Sequence, residues 1–107
     1  MKNGTIVIAD DDLEIIEMVT LLLQDEFELI IVNDGAAALA KVREHKPDLA
    51  LLDCHMPHLS GFEVCEQLKS NPQTQAIPVL CLSSAHTHDA HVRSLNAGAA
   101  TLIVKPF

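Results

Sequence analysis

The sequence contains few aromatic and few basic residues. It has no Trp, no Tyr and three Phe among 107 residues, so its core must be built from aliphatic side chains. Seven Lys and Arg stand against fifteen Asp and Glu, which gives a formal charge of -8. This balance argues against direct nucleic-acid contact by the chain, because phosphate backbones require clustered basic side chains. It also disfavours an anionic membrane surface and is compatible with cation binding.

The chain also lacks long apolar runs and closely paired cysteines. No apolar run is long enough to span a bilayer, and the first one has neither the length nor the cleavage site of a signal peptide. Cys54, Cys65 and Cys81 form no Cys-x-x-Cys motif, which is typical of a reducing compartment. We therefore expect one cytoplasmic domain without a membrane segment.

Short apolar runs alternate with amphipathic stretches along the whole chain. The runs predict five strands, at 5–10, 27–33, 48–53, 77–83 and 100–104. The amphipathic stretches predict four helices, at 11–26, 35–45, 61–70 and 86–98. Because strands and helices alternate with short links, we expect an α/β fold with a doubly wound parallel sheet covered on both faces.

Polar residues follow four of the predicted strands. Asp10 and Asp11 follow the first strand, Asp53 ends the third, Ser83 ends the fourth and Lys105 follows the fifth. The carboxyl ends of parallel strands share one edge, so these side chains should converge there. Three carboxylates so close together repel one another, and Mg²⁺ is the cation that suits such oxygen ligands. A phosphoryl group could then bind between metal, lysine and hydroxyl, with the central aspartate as nucleophile.

Several segments together resemble one protein family. IVIADDD, LLDCHMPHLSG, IPVLCLSS, AGA and KPF match, in order and spacing, the receiver domain of two-component response regulators. The resemblance covers the whole chain and implies a flavodoxin-like sheet of order 2-1-3-4-5 with five helices. We therefore expect residues 1–107 to be a single receiver domain truncated after its fifth strand. The missing final helix would leave apolar surface bare near the first helix.

The resemblance also implies roles for the acidic residues. Asp53 would accept a phosphoryl group from a sensor histidine kinase or a phosphotransfer protein. Asp11 would bind Mg²⁺ directly, and Asp10 would bind it mainly through water. The backbone carbonyl of His55 would be the third protein ligand of the metal. The domain would thus be a phosphorylatable switch with slow self-dephosphorylation rather than an enzyme that turns over external substrate.

Further positions follow from the same resemblance. Ser83 would be the switch hydroxyl, and Lys105 would contact the phosphoryl group, with a cis peptide bond before Pro106. Leu102 stands where the family usually has Tyr or Phe, so the usual aromatic signal is in doubt. The output would pass to an attached or separate output domain, and a homodimer remains open.

Two alternative functions remain open. A Mg²⁺-dependent aspartyl phosphatase would use the same acids, although such enzymes generally carry cap segments for which this chain has no room. A non-phosphorylated interaction domain is encouraged by Leu102, whereas the intact acid set and Lys105 argue against it.

Two further sets of residues suggest other chemistry. Cys54 and His55 resemble a nucleophile–base pair, but adjacent residues of an extended segment point to opposite faces. Nearby carboxylates should also raise the pKa of the thiol. His86, His88 and His91 could bind zinc, but no fourth ligand is evident, so a solvated helix start is favoured.

Overall fold

A computed structural model describes residues 2–56, 59–84 and 88–105. The strands are β1 (Thr5–Ala9), β2 (Glu28–Val32), β3 (Leu49–Asp53), β4 (Val79–Ser83) and β5 (Thr101–Val104). The helices are α1 (Leu13–Leu23), α2 (Gly35–His45), α3 (Gly61–Lys69) and α4 (His88–Asn96). Strands and helices alternate along the chain, as the sequence predicts.

All neighbouring strands pair in parallel, and their order is β2-β1-β3-β4-β5. This confirms the flavodoxin-like α/β fold. The chain runs outward from β1 to β2 and then crosses back to β3 on the other side of β1. In open parallel sheets, ligands bind at the carboxyl ends of the strands where the strand order reverses. The fold therefore predicts a ligand site at the carboxyl ends of β1 and β3.

The first predicted helix is longer than the one in the structure, partly because a residue at its start serves as a cap. The side chain of Asp12 accepts a hydrogen bond from the backbone N–H of Glu14, so α1 begins at Leu13. Likewise β4 begins at Val79, since Pro78 has no N–H to donate to the sheet. In the described parts of the chain, no helix is both long and apolar enough to cross a membrane.

The two faces of the sheet are packed differently. On one side, which we call the α2–α3 face, both helices pack against the sheet. Val42 of α2 and Leu68 of α3 belong to one buried cluster with Leu52 of β3. The α1 face carries a smaller cluster to which α1 contributes Ile15 and Val19.

A wholly apolar groove of about 410 Å³ lies on the α1 face. It is lined by Val19, Leu22, Leu23, Leu49, Leu51, Leu80, Leu82 and Ile103. The apolar surface expected beside the first helix is therefore present.

Candidate functional site

The carboxyl edge of the sheet brings one lysine against two buried aspartates. Asp10 directly follows β1, Asp53 ends β3 and Lys105 directly follows β5. The Lys105 Nζ atom lies 2.8 Å from Asp10 Oδ2 and 3.4 Å from Asp53 Oδ2. The side chains of Lys105, Asp10 and Asp53 are 9%, 0% and 6% exposed. Three residues far apart in the sequence thus form one buried ionic cluster.

Backbone hydrogen bonds continue the sheet past its strand ends and fix this cluster in place. The N–H of Lys105 donates to the carbonyl of Ser83 at 2.7 Å. The N–H of Cys54 donates to the carbonyl of Leu82 at 2.8 Å. Because both bonds extend the ladders of β4, the groups at the carboxyl edge are anchored to the rigid sheet.

The two buried carboxylates are oriented by the same local device. Asp10 Oδ1 accepts a hydrogen bond from the N–H of Asp12 at 2.9 Å. Asp53 Oδ1 accepts one from the N–H of His55 at 3.2 Å. Both are turns in which an aspartate binds the backbone two residues later. In each case the other carboxylate oxygen, Oδ2, is the one that meets Lys105.

Asp11 completes an acidic group at this edge. One carboxylate oxygen each from Asp10, Asp11 and Asp53 lies within 4.8 Å of the other two. Among the described residues, no other trio of His, Cys, Asp or Glu meets this criterion. Asp11 is exposed, whereas the other two are buried. Three hard oxygen donors with an open side are a ligand set that suits Mg²⁺, so the residues present fit this ion.

Burial and charge change the proton affinity of the site. Burial raises the pKa of Asp53 from its usual 3.8 to about 6. The hydrogen bond from His55 opposes this shift, and the nearby charge of Asp10 adds to it. Burial acts to lower the pKa of Lys105, but the hydrogen bond to Asp10 and the charge of Asp53 outweigh it, so that pKa is raised. The lysine therefore carries its charge throughout the neutral range.

A cavity of about 480 Å³ opens onto the acidic group. Its lining is Asp11, Asp12, Glu14, Ile15, Asp53, His55, Ser84 and Lys105. Ser83 is buried at the end of β4, and Ser84 is exposed beside it. Asp53 thus has access to a molecule in solution although most of its surface is covered.

Cys54 and His55 lie on opposite sides of the chain, as predicted. Cys54 is buried and does not line the cavity, whereas His55 is exposed and does. The charge of Asp53 raises the pKa of the thiol, as expected, but the net shift is downward. A hydrogen bond with Cys81 lowers the pKa of Cys54 and outweighs burial and the charge of Asp53, both of which raise it. A thiol outside the cavity still offers no nucleophile there.

Some predictions fall on parts of the chain that the structure does not describe. The cis bond before Pro106 lies outside the described residues, as do His86 and the side chain of His88. His91 is exposed on α4.

Two residues next to the site escaped the sequence analysis. The Phe62 ring on α3 meets the His55 ring edge-on, with 6.5 Å between ring centroids and 84° between planes. The guanidinium carbon of Arg93, on α4, lies 4.4 Å from the centroid of the same Phe62 ring. No spacing pattern could reveal this contact, because only the packing of α4 beside α3 brings these residues together.

Fold and site together define a class of protein. The sequence profile of the response regulator receiver domain matches residues 6–107, and the chain belongs to this family. It is similar to the DNA-binding response regulator MtrA of Mycobacterium tuberculosis, with 37% identity over 103 residues, 95% of this chain and 44% of that protein. The chain therefore spans less than half the length of this curated relative.

Solved structures agree with this assignment. The signal receiver domain of a DNA-binding response regulator from Colwellia psychrerythraea 34H superposes with a TM-score of 0.90 and 31% identity. That match covers 98% of this chain and 88% of the other. The Mn²⁺-bound form of the response regulator Rcp1 gives a TM-score of 0.87 and 30% identity, over 96% of this chain and 81% of that one.

Proposed function

We propose that the chain is a phosphorylatable signalling switch in which Asp53 is the phosphoacceptor. The observation that carries this proposal is the position of Asp53. Its carboxylate faces the cavity, shares an acidic group with Asp10 and Asp11, and lies 3.4 Å from the Lys105 ammonium. No other carboxylate among the described residues combines a place in the acidic trio, a place in the cavity lining and contact with Lys105.

The reaction transfers a phosphoryl group from a phosphohistidine on a histidine kinase or a phosphotransfer protein. A carboxylate oxygen of Asp53 forms a bond to phosphorus, and the phosphorus–nitrogen bond of the donor breaks. The leaving imidazole keeps the electron pair and takes up a proton. Asp53 reacts in its ionised form, and the ammonium of Lys105 favours that form. Lys105 also pairs with the phosphoryl oxygens in the product.

Asp10, Asp11 and Asp53, together with the backbone carbonyl of His55, would hold a Mg²⁺ ion. The close group of three carboxylates supports this set, and so does the Mn²⁺-bound form of Rcp1. When bound, the ion offsets the repulsion between the carboxylates and the incoming phosphoryl oxygens. Asp10 would contribute chiefly through a water, because one of its oxygens accepts from Asp12 and the other pairs with Lys105.

Ser83 is the residue that would report phosphorylation to the rest of the domain. It is buried at the end of β4, and its carbonyl accepts the hydrogen bond from Lys105. Its hydroxyl would donate to a phosphoryl oxygen, so that phosphorylation favours one arrangement of the segments after β3 and β4. This output passes to an attached or separate output domain. MtrA is itself a DNA-binding response regulator, which supports an attached domain as one arrangement.

A mass measurement tests the proposal directly. The protein is incubated with Mg²⁺ and acetyl phosphate, a small phosphoryl donor, and its intact mass is followed over time. We expect one phosphoryl adduct on the wild type that decays slowly and needs Mg²⁺. The Asp53→Asn variant should show no adduct. Asp25→Asn is the matched control, because Asp25 is exposed and lies at the opposite end of the sheet.

The alternatives give other results in the same experiment. Continuous phosphate release without an accumulating adduct would identify a Mg²⁺-dependent aspartyl phosphatase. No adduct, together with no binding of the phosphoryl mimic beryllofluoride, would identify a non-phosphorylated interaction domain.

A further inference from the structure

The contact between Arg93 and Phe62 lies between the acceptor site and α4. Phe62 is 2% exposed and is the second residue of α3, while Arg93 is an exposed residue of α4. The guanidinium carbon is 4.4 Å from the ring centroid, which is within the range of a cation–π contact. The two helices are thus joined through a ring that is otherwise buried.

The same ring also contacts the acceptor site. His55 packs edge-on against Phe62 at 6.5 Å, and the His55 N–H donates to Asp53 Oδ1 at 3.2 Å. The start of α3 is held close to the end of β3, because the Gly61 N–H donates to the Cys54 carbonyl at 3.3 Å. A Cβ atom at Gly61 would collide with the carbonyl oxygen of Asp53. Phe62 is therefore positioned tightly relative to the acceptor.

Few of the α4 side chains that the structure describes are buried. Ser94 is buried, whereas Val92 and Leu95 are 38% and 47% exposed. Leu102 on β5 packs against the same cluster as Phe62 but carries no ring. Phe62 is therefore the aromatic side chain that contacts both an α4 residue and a residue of the cavity lining in the described chain.

We infer that Phe62 and Arg93 are positioning residues that set the place of His55 and couple α4 to the acceptor site. This inference rests on the proposed function, since it concerns the same site. The contacts of Arg93 with Phe62 and of Phe62 with His55 fix the His55 backbone before Mg²⁺ and a phosphoryl group bind. Less ordering of the backbone is therefore required on binding. By linkage, these contacts and the bound ligands stabilise each other by the same factor.

The test is the affinity of the site for Mg²⁺ and for beryllofluoride in Arg93→Ala. Arg93 is exposed, so this variant is expected to fold. The strength of an exposed cation–π contact sets the expected effect at about a two- to five-fold rise in Kd. Acetyl phosphate labelling should slow at limiting Mg²⁺ and recover at saturating Mg²⁺. Arg93→Lys keeps a cation and should give an intermediate Kd. Arg43→Ala, an exposed arginine on α2, is the matched control and should bind as the wild type does.

A second measurement reads the contact itself. In proton NMR spectra, the side-chain methylene protons of Arg93 should be shifted upfield by the Phe62 ring and should move again when beryllofluoride binds. Phe62→Leu should abolish that upfield shift. Combined with Arg93→Ala, it should raise Kd by less than the product of the single effects.

The outcomes separate the inference from the proposed function. Wild-type protein that binds neither Mg²⁺ nor beryllofluoride overturns both. Wild-type binding with an unchanged Kd in Arg93→Ala overturns the inference alone, even if the melting temperature falls, since a purely structural contact would lower stability without changing affinity.

Discussion

The two faces of the sheet differ in how completely they are covered. On the α2–α3 face, Leu52, Val42 and Leu68 are all 0% exposed, within one cluster. On the α1 face, Leu22 is 70% exposed and lies on an apolar groove of about 410 Å³. Successive residues of a strand alternate between these faces, so similar residues of the same strand experience different surroundings. The difference is local to the groove, because Ile8 and Leu82 in the α1-face cluster are only 0% and 1% exposed.

The largest effect should come from removing a leucine from the α2–α3 face. Leu52→Ala leaves a cavity among side chains that are already fully packed, which should lower the free energy of unfolding by about 3 kcal/mol. Leu80→Ala is the matched change on the α1 face, where the side chain lines the groove. It should cost about 1 kcal/mol, because part of its surface is already open. Urea unfolding measures both values.

Equal losses of unfolding free energy in the two variants would mean that the α1 face is as tightly packed in solution as the α2–α3 face. The difference between the faces would then not describe their energetics.

An intermediate effect is expected at the carboxyl edge, which both faces share. The pKa of Asp53 is raised to about 6 in the folded protein, so the folded state binds this proton more tightly than the unfolded state does. Its contribution to stability is therefore present at low pH and is lost as the pH rises from about 4 to 6. Asp53→Asn removes the buried charge and should stabilise the Mg²⁺-free protein by about 1–2 kcal/mol at pH 7. Lys105 keeps its pairing with Asp10.

Unfolding of both proteins across this pH range tests the sign. The stability advantage of the variant should shrink towards zero near pH 4. An advantage that grows as the pH falls would contradict the raised pKa. Saturating Mg²⁺ should reverse the order at pH 7, because the wild type would gain binding energy that the variant loses.

The smallest effect on stability should come from Leu22→Gln in the groove. At 70% exposure this substitution should change the free energy of unfolding by less than about 0.5 kcal/mol. It should nevertheless lower the binding of a hydrophobic naphthalene sulfonate dye, because Leu22 lines the groove. Leu21→Gln is the control, since Leu21 is 72% exposed but does not line the groove. Dye fluorescence that is equal in the two variants would place the accessible apolar surface elsewhere.

Much of the fold followed from local patterns. Continuous β-branched runs predict strands buried on both faces, and the α2 boundaries at Gly35 and His45 match the prediction. The first helix was predicted too long, because a periodic pattern does not reveal which aspartate caps it. The raising effect of Asp53 on the pKa of Cys54 was predicted, but the larger lowering effect of Cys81 on another strand was not.

The site was predictable to the extent that topology determines it. Asp10, Asp53 and Lys105 could be assigned to one edge, because parallel strands present their carboxyl ends together. The distances between their side chains could not be predicted, because they depend on the sheet register and on the turns at Asp12 and His55.

The sequence by itself determined the strand–helix alternation, the kinds of side chain at the carboxyl edge of the sheet and the family resemblance. All three depend on residue order and spacing. Only the tertiary structure decided that Phe62 lies between His55 and Arg93, and which side chains line the groove beside α1. Such contacts depend on how whole helices pack against the sheet, which no local pattern of residues specifies.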